Sequence, residues 1–120
     1  MVREIVIFGD PVLRKKCAKV ESFSDEIKSL VDDMLETMVS AEGIGLAAPQ
    51  IGVPIQLAVI DVSHDPECVS YLRIDGKEIQ LKDIMPLVFI NPELEYGNKN
   101  DVMSEGCLSF PDIRGDVTRP

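Results

Sequence analysis

One amphipathic helix is the feature that most constrains how this chain can fold. Ser24 is a good N-cap, and Asp25 and Glu26 place negative charge in the first turn, where the helix dipole favours it. Apolar residues then recur at steps of three and four along a single stripe: Ile27, Leu30, Val31, Met34, Leu35, Met38 and Val39. The pattern predicts a helix of about four turns that ends near Gly43 and buries this stripe in a core.

Short apolar segments elsewhere in the chain predict strands. Ile5–Phe8, Gln56–Val62 and Leu87–Ile90 are typical of strands, and the segment from Tyr71 to Leu81 alternates around Asp75-Gly76, a dipeptide that favours a two-residue hairpin turn. Helices and strands do not alternate as they do in parallel α/β proteins. The sequence therefore predicts one α+β domain over residues 1–120, with antiparallel sheets packed around the helix.

Charge and cysteine content exclude several classes of protein. The 120 residues carry 12 Lys and Arg against 21 Asp and Glu, a net charge of −9, which argues against broad contact with nucleic acid or with an anionic membrane. No apolar run approaches the roughly 20 residues of a membrane span, and the N-terminal run is too short for a signal peptide. Three widely spaced cysteines favour a reducing cytoplasm over a disulfide framework.

The segment from Gly43 to Gln50 fits neither a helix nor a strand pattern. Gly43 and Gly45 allow close backbone approach, and Gln50 places a side-chain amide among small residues. Such an amide can hold a substrate carbonyl or a developing oxyanion. The alternative is a helix C-cap followed by a loop with a solvated Gln50.

A second segment, Ser104 to Pro111, contains Cys107. This cysteine can be a metal ligand, a nucleophile or a small buried hydrophobe, and spacing alone does not choose among them. Gly106 before it and Pro111 after it indicate a fixed backbone of non-regular structure.

Together these two segments resemble a known family. The segments Gly43–Gln50 and Glu105–Ser109 resemble, in order, the first and second signature motifs of peptide deformylases. Asp10–Arg14 and Leu87–Pro92 are similar to segments that flank those motifs in the family. The resemblance extends from about residue 4 to the end of the sequence and implies a peptide deformylase fold.

The resemblance also implies a reaction and a set of roles. Members of the family remove the formyl group from the N-terminal methionine of new proteins with a divalent metal, native iron(II) with zinc or nickel as alternatives. Cys107 is then a metal ligand, while the Gln50 side-chain amide and the Leu108 backbone N–H hold the oxyanion. Ile44, Gly45 and Arg114 are the implied substrate contacts, and Glu105 is implied in a supporting role.

The implied partners are formyl-methionyl nascent chains in a bacterial cytoplasm, with the ribosome as a further candidate. An organellar origin stays open. A non-catalytic peptide- or ribosome-binding protein is the main alternative function, and a thiol hydrolase that uses Cys107 is a third.

The third motif of the family, His-Glu-x-x-His on a helix, has no counterpart in this sequence. Its spacing would place two metal-binding imidazoles on one helical face. The one histidine, His64, lies in a predicted Ser-His-Asp-Pro turn that is more typical of a solvated side chain than of a ligand. We therefore expect residues 1–120 to be the N-terminal part of a single peptide deformylase domain, an incomplete fold without the central metal-binding helix. We also expect reduced cover over the helix stripe and over the strand from Leu57 to Val62, and a chain that is inactive alone.

Overall fold

A computed structural model describes residues 1–63 and 72–119. Helix α1 spans Asp25–Ser40, and the Ser24 hydroxyl accepts a hydrogen bond from the Ile27 N–H at 3.3 Å. The predicted N-cap is confirmed. The helix ends just before Gly43, whose N–H donates to the Met38 carbonyl at 2.9 Å.

Strands and short 3-10 helices make up the remaining regular structure of the described ranges. The strands, in chain order, are β1 (Gly45–Ala47), β2 (Leu57–Ile60), β3 (Leu72–Ile74), β4 (Lys77–Ile79), β5 (Leu87–Ile90), β6 (Asp101–Cys107) and β7 (Phe110–Arg119). The 3-10 helices are Pro11–Arg14, Ala48–Ile51 and Leu81–Asp83. Within these ranges no helix has the length and apolar character needed to cross a membrane.

An antiparallel sheet in the order β1-β2-β5 carries the core. Side chains alternate along β2, so that Leu57 and Val59 point into the core while their neighbours are only partly buried. Residues of α1 pack against this face and complete the core: Leu30, Val31, Met34 and Met38. The predicted α+β architecture with antiparallel sheets around a helix is confirmed.

The predicted apolar stripe of α1 is buried or partly buried at every residue except the last. Met34 and Met38 are fully buried, but Val39 is 53% exposed. Thr37 is buried instead, because its hydroxyl donates to the Asp33 carbonyl at 2.7 Å and accepts from the Arg3 N–H at 2.8 Å. A polar residue can occupy a core position when both hydrogen-bonding functions of its hydroxyl are satisfied.

Two antiparallel hairpins lie outside this sheet. In the β3–β4 hairpin, Asp75 and Gly76 have φ values of 52° and 79°, as a two-residue primed turn requires. The predicted hairpin is therefore confirmed over residues 72–79; Tyr71 lies outside the described residues. The second hairpin, β6–β7, contains the cysteine segment.

The prediction of a strand over Ile5–Phe8 is wrong. These residues lie outside the sheets, and two of them donate backbone hydrogen bonds to separate segments. The Val6 N–H donates to the Gln50 carbonyl and the Phe8 N–H to the Ser109 carbonyl, each at 2.8 Å. A single run of apolar residues does not reveal that its two partners belong to different parts of the chain.

The expected loss of cover is also wrong for the buried centre of the helix stripe and for the inward face of β2. Met34, Met38 and Val59 have no exposed surface, and Leu57 is almost fully buried. Large apolar side chains are exposed instead on the later strands, namely Val88, Phe89, Ile90, Val102, Met103, Phe110 and Ile113.

We expect Met38→Ala to destabilise the chain by about 2–5 kcal/mol, because it leaves a cavity in a packed site. The neighbouring substitution Val39→Ala is the matched control, and we expect it to change stability by about 0.5 kcal/mol or less because Val39 is exposed. Urea unfolding followed by circular dichroism measures both. Equal unfolding midpoints for the two variants would contradict the assigned core.

Asp33 joins the N-terminal segment to α1. Its carboxylate accepts hydrogen bonds from the Met1 α-ammonium at 2.8 Å and from the Arg3 Nε at 2.9 Å. These two cations hold the pKa of Asp33 below its ordinary value of 3.8.

We expect Arg3→Met to raise the pKa of Asp33 toward 3.8, as measured by NMR titration of the carboxyl carbon. A carboxyl group with a lowered pKa stabilises the fold above its ordinary pKa, and that contribution is lost as the pH falls through the lowered value. Acid should therefore destabilise the parent chain more steeply below pH 3.8 than it destabilises the variant. Lys28→Met is the control, since Lys28 pairs with Asp25 and not with Asp33.

Candidate functional site

A cleft of about 1100 Å³ separates the β1 segment from the β6–β7 hairpin. The structure brings to this one cleft the seven residues to which the resemblance gives a role, namely Ile44, Gly45, Gln50, Glu105, Cys107, Leu108 and Arg114. The two motif segments therefore face each other, although 57 residues separate Gln50 from Cys107.

Within residues 1–63 and 72–119, β1 is an edge strand of its sheet and lies on one side of the cleft. The Ile44 carbonyl accepts from the Asp61 N–H at 2.9 Å and is therefore directed toward β2. Because backbone groups alternate in an antiparallel ladder, the N–H and C=O of Gly45 point to the opposite, open edge. Gly45, rather than the Ile44 carbonyl, is available to an extended peptide.

Gln50 lies in the 3-10 helix that follows β1. The segment Gly43–Gln50 was predicted to be irregular, which is wrong: it contains β1 and most of this short helix. The Gln50 Oε1 accepts from the Ala47 N–H at 3.0 Å, and Nε2 lies 3.2 Å from Ser109 Oγ and 3.6 Å from Cys107 Sγ. The alternative of a freely solvated Gln50 side chain is also wrong.

Cys107 is the last residue of β6 and is exposed, so it is not a buried hydrophobe. The predicted non-regular backbone is wrong for most of this segment, which is a hairpin, and right at one point. The register shifts between Gly106 and Cys107, where Gly106 pairs with Arg114 but Cys107 pairs with Phe110. Such a bulge redirects a side chain, and here Cys107 points toward Gln50.

The residues of β7 explain the bulge. Pro111 has no N–H to donate to a ladder, and Asp112 adopts a φ of 62°, which aspartate tolerates better than most residues.

Leu108 and Gly43 connect the hairpin turn to the end of α1. The Leu108 side chain packs against the core and lies over Gly43, where an added Cβ would be 2.7 Å from Leu108 Cδ1. A larger residue at position 43 would therefore compete with Leu108 for the same space.

Charged residues of the hairpin are held by contacts within it. The Arg114 Nη2 donates to the Ser104 carbonyl at 3.1 Å, and the side chain crosses Gly106. Arg119 forms a bidentate ion pair with Glu105, with Nε 2.8 Å from Oε1 and Nη2 2.7 Å from Oε2. This pair holds the pKa of Glu105 below its ordinary value. The ion pair thus joins β6, which carries Cys107, to β7.

The described residues do not by themselves fit a metal ion. Across residues 1–63 and 72–119, no group of three or more His, Cys, Asp or Glu side chains converges on one point. Cys107 is therefore a single candidate ligand, and a stable catalytic site needs about three. His64 lies outside the described residues.

Sequence reasoning missed Ser109 and Phe8. Ser109 is only 2% exposed, and its hydroxyl accepts a hydrogen bond from Gln50. The Phe8 ring lies 5.1 Å from that of Phe110, which lines the cleft. Ser109 is part of the second motif, but nothing in the local pattern indicates that its side chain is buried against the first.

The sequence is similar to a known protein family along nearly its whole length. A family model described as polypeptide deformylase matches residues 2–120. The chain is 49% identical over 119 residues to a peptide deformylase of Methylacidiphilum infernorum, covering 99% of this chain and 62% of the relative. It is 47% identical over 122 residues to a peptide deformylase of Opitutus terrae, covering 100% and 63%. The chain thus spans less than two thirds of the length of these curated relatives.

Solved structures show the same fold. The crystal structure of a peptide deformylase from Thermotoga maritima matches with a TM-score of 0.78 at 37% identity, over 99% of this chain and 68% of that one. A peptide deformylase from Synechococcus elongatus in complex with actinonin matches with a TM-score of 0.77 at 37% identity, over 98% and 54%.

We expect Gly43→Ala to displace the Leu108 side chain, because the new methyl group would overlap it. The flexible end of a leucine can move, so the destabilisation should lie near the lower end of the range for overpacking, about 1 kcal/mol. Methyl NMR shifts of Leu108 and urea unfolding measure the two effects. Gly115→Ala is the control, since nothing lies within 4 Å of a Cβ there; unmoved Leu108 methyl signals in Gly43→Ala would contradict the contact.

Proposed function

The chain belongs to the peptide deformylase family, and we propose that it serves in removing the N-formyl group from the N-terminal methionine of newly made proteins, with release of formate. The observation that carries this proposal is the approach of the Gln50 amide to Cys107, at 3.6 Å, beside the edge strand β1. The cleft thus contains the Gln50 amide as a hydrogen-bond donor, the Cys107 thiol as a metal ligand, and the outer edge of β1 at Gly45 for pairing with a peptide.

Hydrolysis of a formamide passes through a tetrahedral intermediate with negative charge on oxygen. The donors that meet this charge are the side-chain N–H of Gln50 that faces Cys107 and the backbone N–H of Leu108 in the hairpin turn. Donors fixed before the reaction stabilise such charge more than mobile water does. Support for the Gln50 role comes from its Oε1, which is held by Ala47, so that its NH₂ group is turned toward Cys107.

Substrate binding is assigned to the β1 edge and the opposite hairpin. Gly45 offers its N–H and C=O to the backbone of the formyl-methionyl peptide, as an added strand would use them. Ile44 is 52% exposed at the cleft and supplies apolar contact, and Arg114 lies on the far wall.

Cys107 is the one ligand that we assign to this chain for a divalent metal, with iron(II) as the native ion and zinc or nickel as alternatives. Glu105 supports it from the same strand through Arg119. Since the sequence contains a single histidine, this chain cannot supply two imidazole ligands, and it has no His-Glu-x-x-His motif whose glutamate would be the general base. We therefore propose that the 120 residues alone do not release formate.

Formyl-methionyl nascent chains are the proposed partners, in a bacterial cytoplasm, with the ribosome as the place of encounter. A second candidate function is peptide binding without chemistry. The open Gly45 edge beside a single ligand favours it, because an extended peptide needs only that edge in order to pair.

A fusion protein tests the proposal. We expect residues 1–120 alone, supplied with iron(II) or nickel(II) without oxygen, to release no formate from formyl-Met-Ala-Ser. The same residues joined to the part of the Methylacidiphilum infernorum deformylase beyond the alignment should release it. In the fusion, Gln50→Ala should lower kcat about 10²–10³-fold, the effect of losing one oxyanion donor.

Cysteine variants of the fusion provide the matched pair. Cys107→Ser should abolish metal retention and formate release, whereas Cys17→Ser should leave both unchanged because Cys17 lies outside the cleft. A folded, metal-loaded fusion without activity would contradict the proposed function. Formate release by the 120 residues alone would contradict their proposed inactivity, and peptide binding without release by the fusion would favour the second candidate.

A further inference from the structure

Every polar atom of the Gln50 side chain has a partner. Its Oε1 accepts from the Ala47 N–H at 3.0 Å, and its Nε2 donates to Ser109 Oγ at 3.2 Å and to Cys107 Sγ at 3.6 Å. A primary amide has two N–H donors, so one is available for each of the latter partners. The orientation of this amide is thus set by three residues from two segments: Ala47 in β1, and Cys107 and Ser109 in the β6–β7 hairpin.

The two donor contacts are unequal. A nitrogen-to-oxygen distance of 3.2 Å lies at the outer limit of the usual range for a hydrogen bond, whereas a thiol sulfur is a weak acceptor. The N–H that faces Cys107 is therefore the one that a stronger acceptor in the cleft can take over. The N–H that faces Ser109 stays in place.

Ser109 is itself held firmly. It is only 2% exposed, and its carbonyl accepts from the Phe8 N–H at 2.8 Å. The Val6 N–H donates to the Gln50 carbonyl at the same distance, so one N-terminal segment holds the backbone of both residues. The Phe8 and Phe110 rings, 5.1 Å apart, add a packing contact next to Ser109.

We propose that Ser109 is a positioning residue for Gln50: its buried hydroxyl retains one N–H of the amide, so that the other points to Cys107 and the cleft. Ala47 determines which end of the amide is oxygen, because the reversed amide would set two donors against each other. Ser109 determines the rotation of that amide about its last bonds. The inference rests on the proposed function only in naming the cleft-facing N–H as the oxyanion donor.

Side-chain amide NMR of the full 120-residue chain tests the proposal without any need for turnover. We expect Ser109→Ala to speed solvent exchange of the Gln50 side-chain amide protons about 2- to 13-fold, the factor that corresponds to the net worth of one hydrogen bond. Ser109→Thr, which keeps a hydroxyl, should retain the parent's exchange rate. Ser104→Ala is the matched control, because Ser104 is exposed on the same hairpin.

The outcomes separate this inference from the proposed function. An unchanged exchange rate in Ser109→Ala, or equal acceleration in Ser109→Thr, overturns the positioning role. If Ser109→Ala does not fold, the parent chain decides: a nuclear Overhauser effect between the Gln50 amide protons and the Ser109 β-protons supports the proposal, and its absence overturns it. Addition of formyl-Met-Ala-Ser then tests the function separately, since failure of the peptide to shift the Gln50 signals counts against oxyanion binding and leaves the Ser109 result standing.

Discussion

The hydrogen bonds of one side-chain amide join the two halves of the cleft. Gln50 belongs to the segment after β1, yet its Nε2 contacts Cys107 and Ser109 in the hairpin turn. Two backbone hydrogen bonds from the N-terminal segment also connect the two sides, since the Val6 and Phe8 N–H groups donate to the carbonyls of Gln50 and Ser109. The distance between Gln50 Nε2 and Cys107 Sγ depends on these hydrogen bonds, because the two described strands β1 and β6 belong to different sheets.

The two sides of the cleft are stabilised differently. The β1 side belongs to a sheet packed against α1, so its position depends on buried apolar contacts such as those of Leu46 and Val59. The β6–β7 hairpin is mostly exposed and is held by its own ladder, by the Glu105–Arg119 ion pair and by the turn residue Leu108. The candidate metal ligand Cys107 thus lies on the less buried side, and contacts at the turn determine where it points.

Local patterns predicted those elements whose stability depends on their own residues. The helix from Asp25 has its N-cap at Ser24, and the β3–β4 turn has positive φ at Asp75 and Gly76, as their sequences indicated. The local pattern of Gly43–Gln50 does not predict β1, because a three-residue strand exists only through its pairing with β2. The apolar run Ile5–Phe8 predicts a strand that does not form, because its backbone N–H groups donate to two different segments rather than to one strand.

The sequence by itself determined the helix, the strands β2 and β5, the β3–β4 hairpin, and the two motifs that identify the family. Through those motifs, the resemblance to the family also named residues that line the cleft. Only the tertiary structure decided that Ser109 is buried under Gln50, that a bulge turns Cys107 toward the amide, and that Gly45 rather than the Ile44 carbonyl faces the open edge. The physical reason is that these features depend on hydrogen bonds and packing between segments far apart in the chain, which no local pattern encodes.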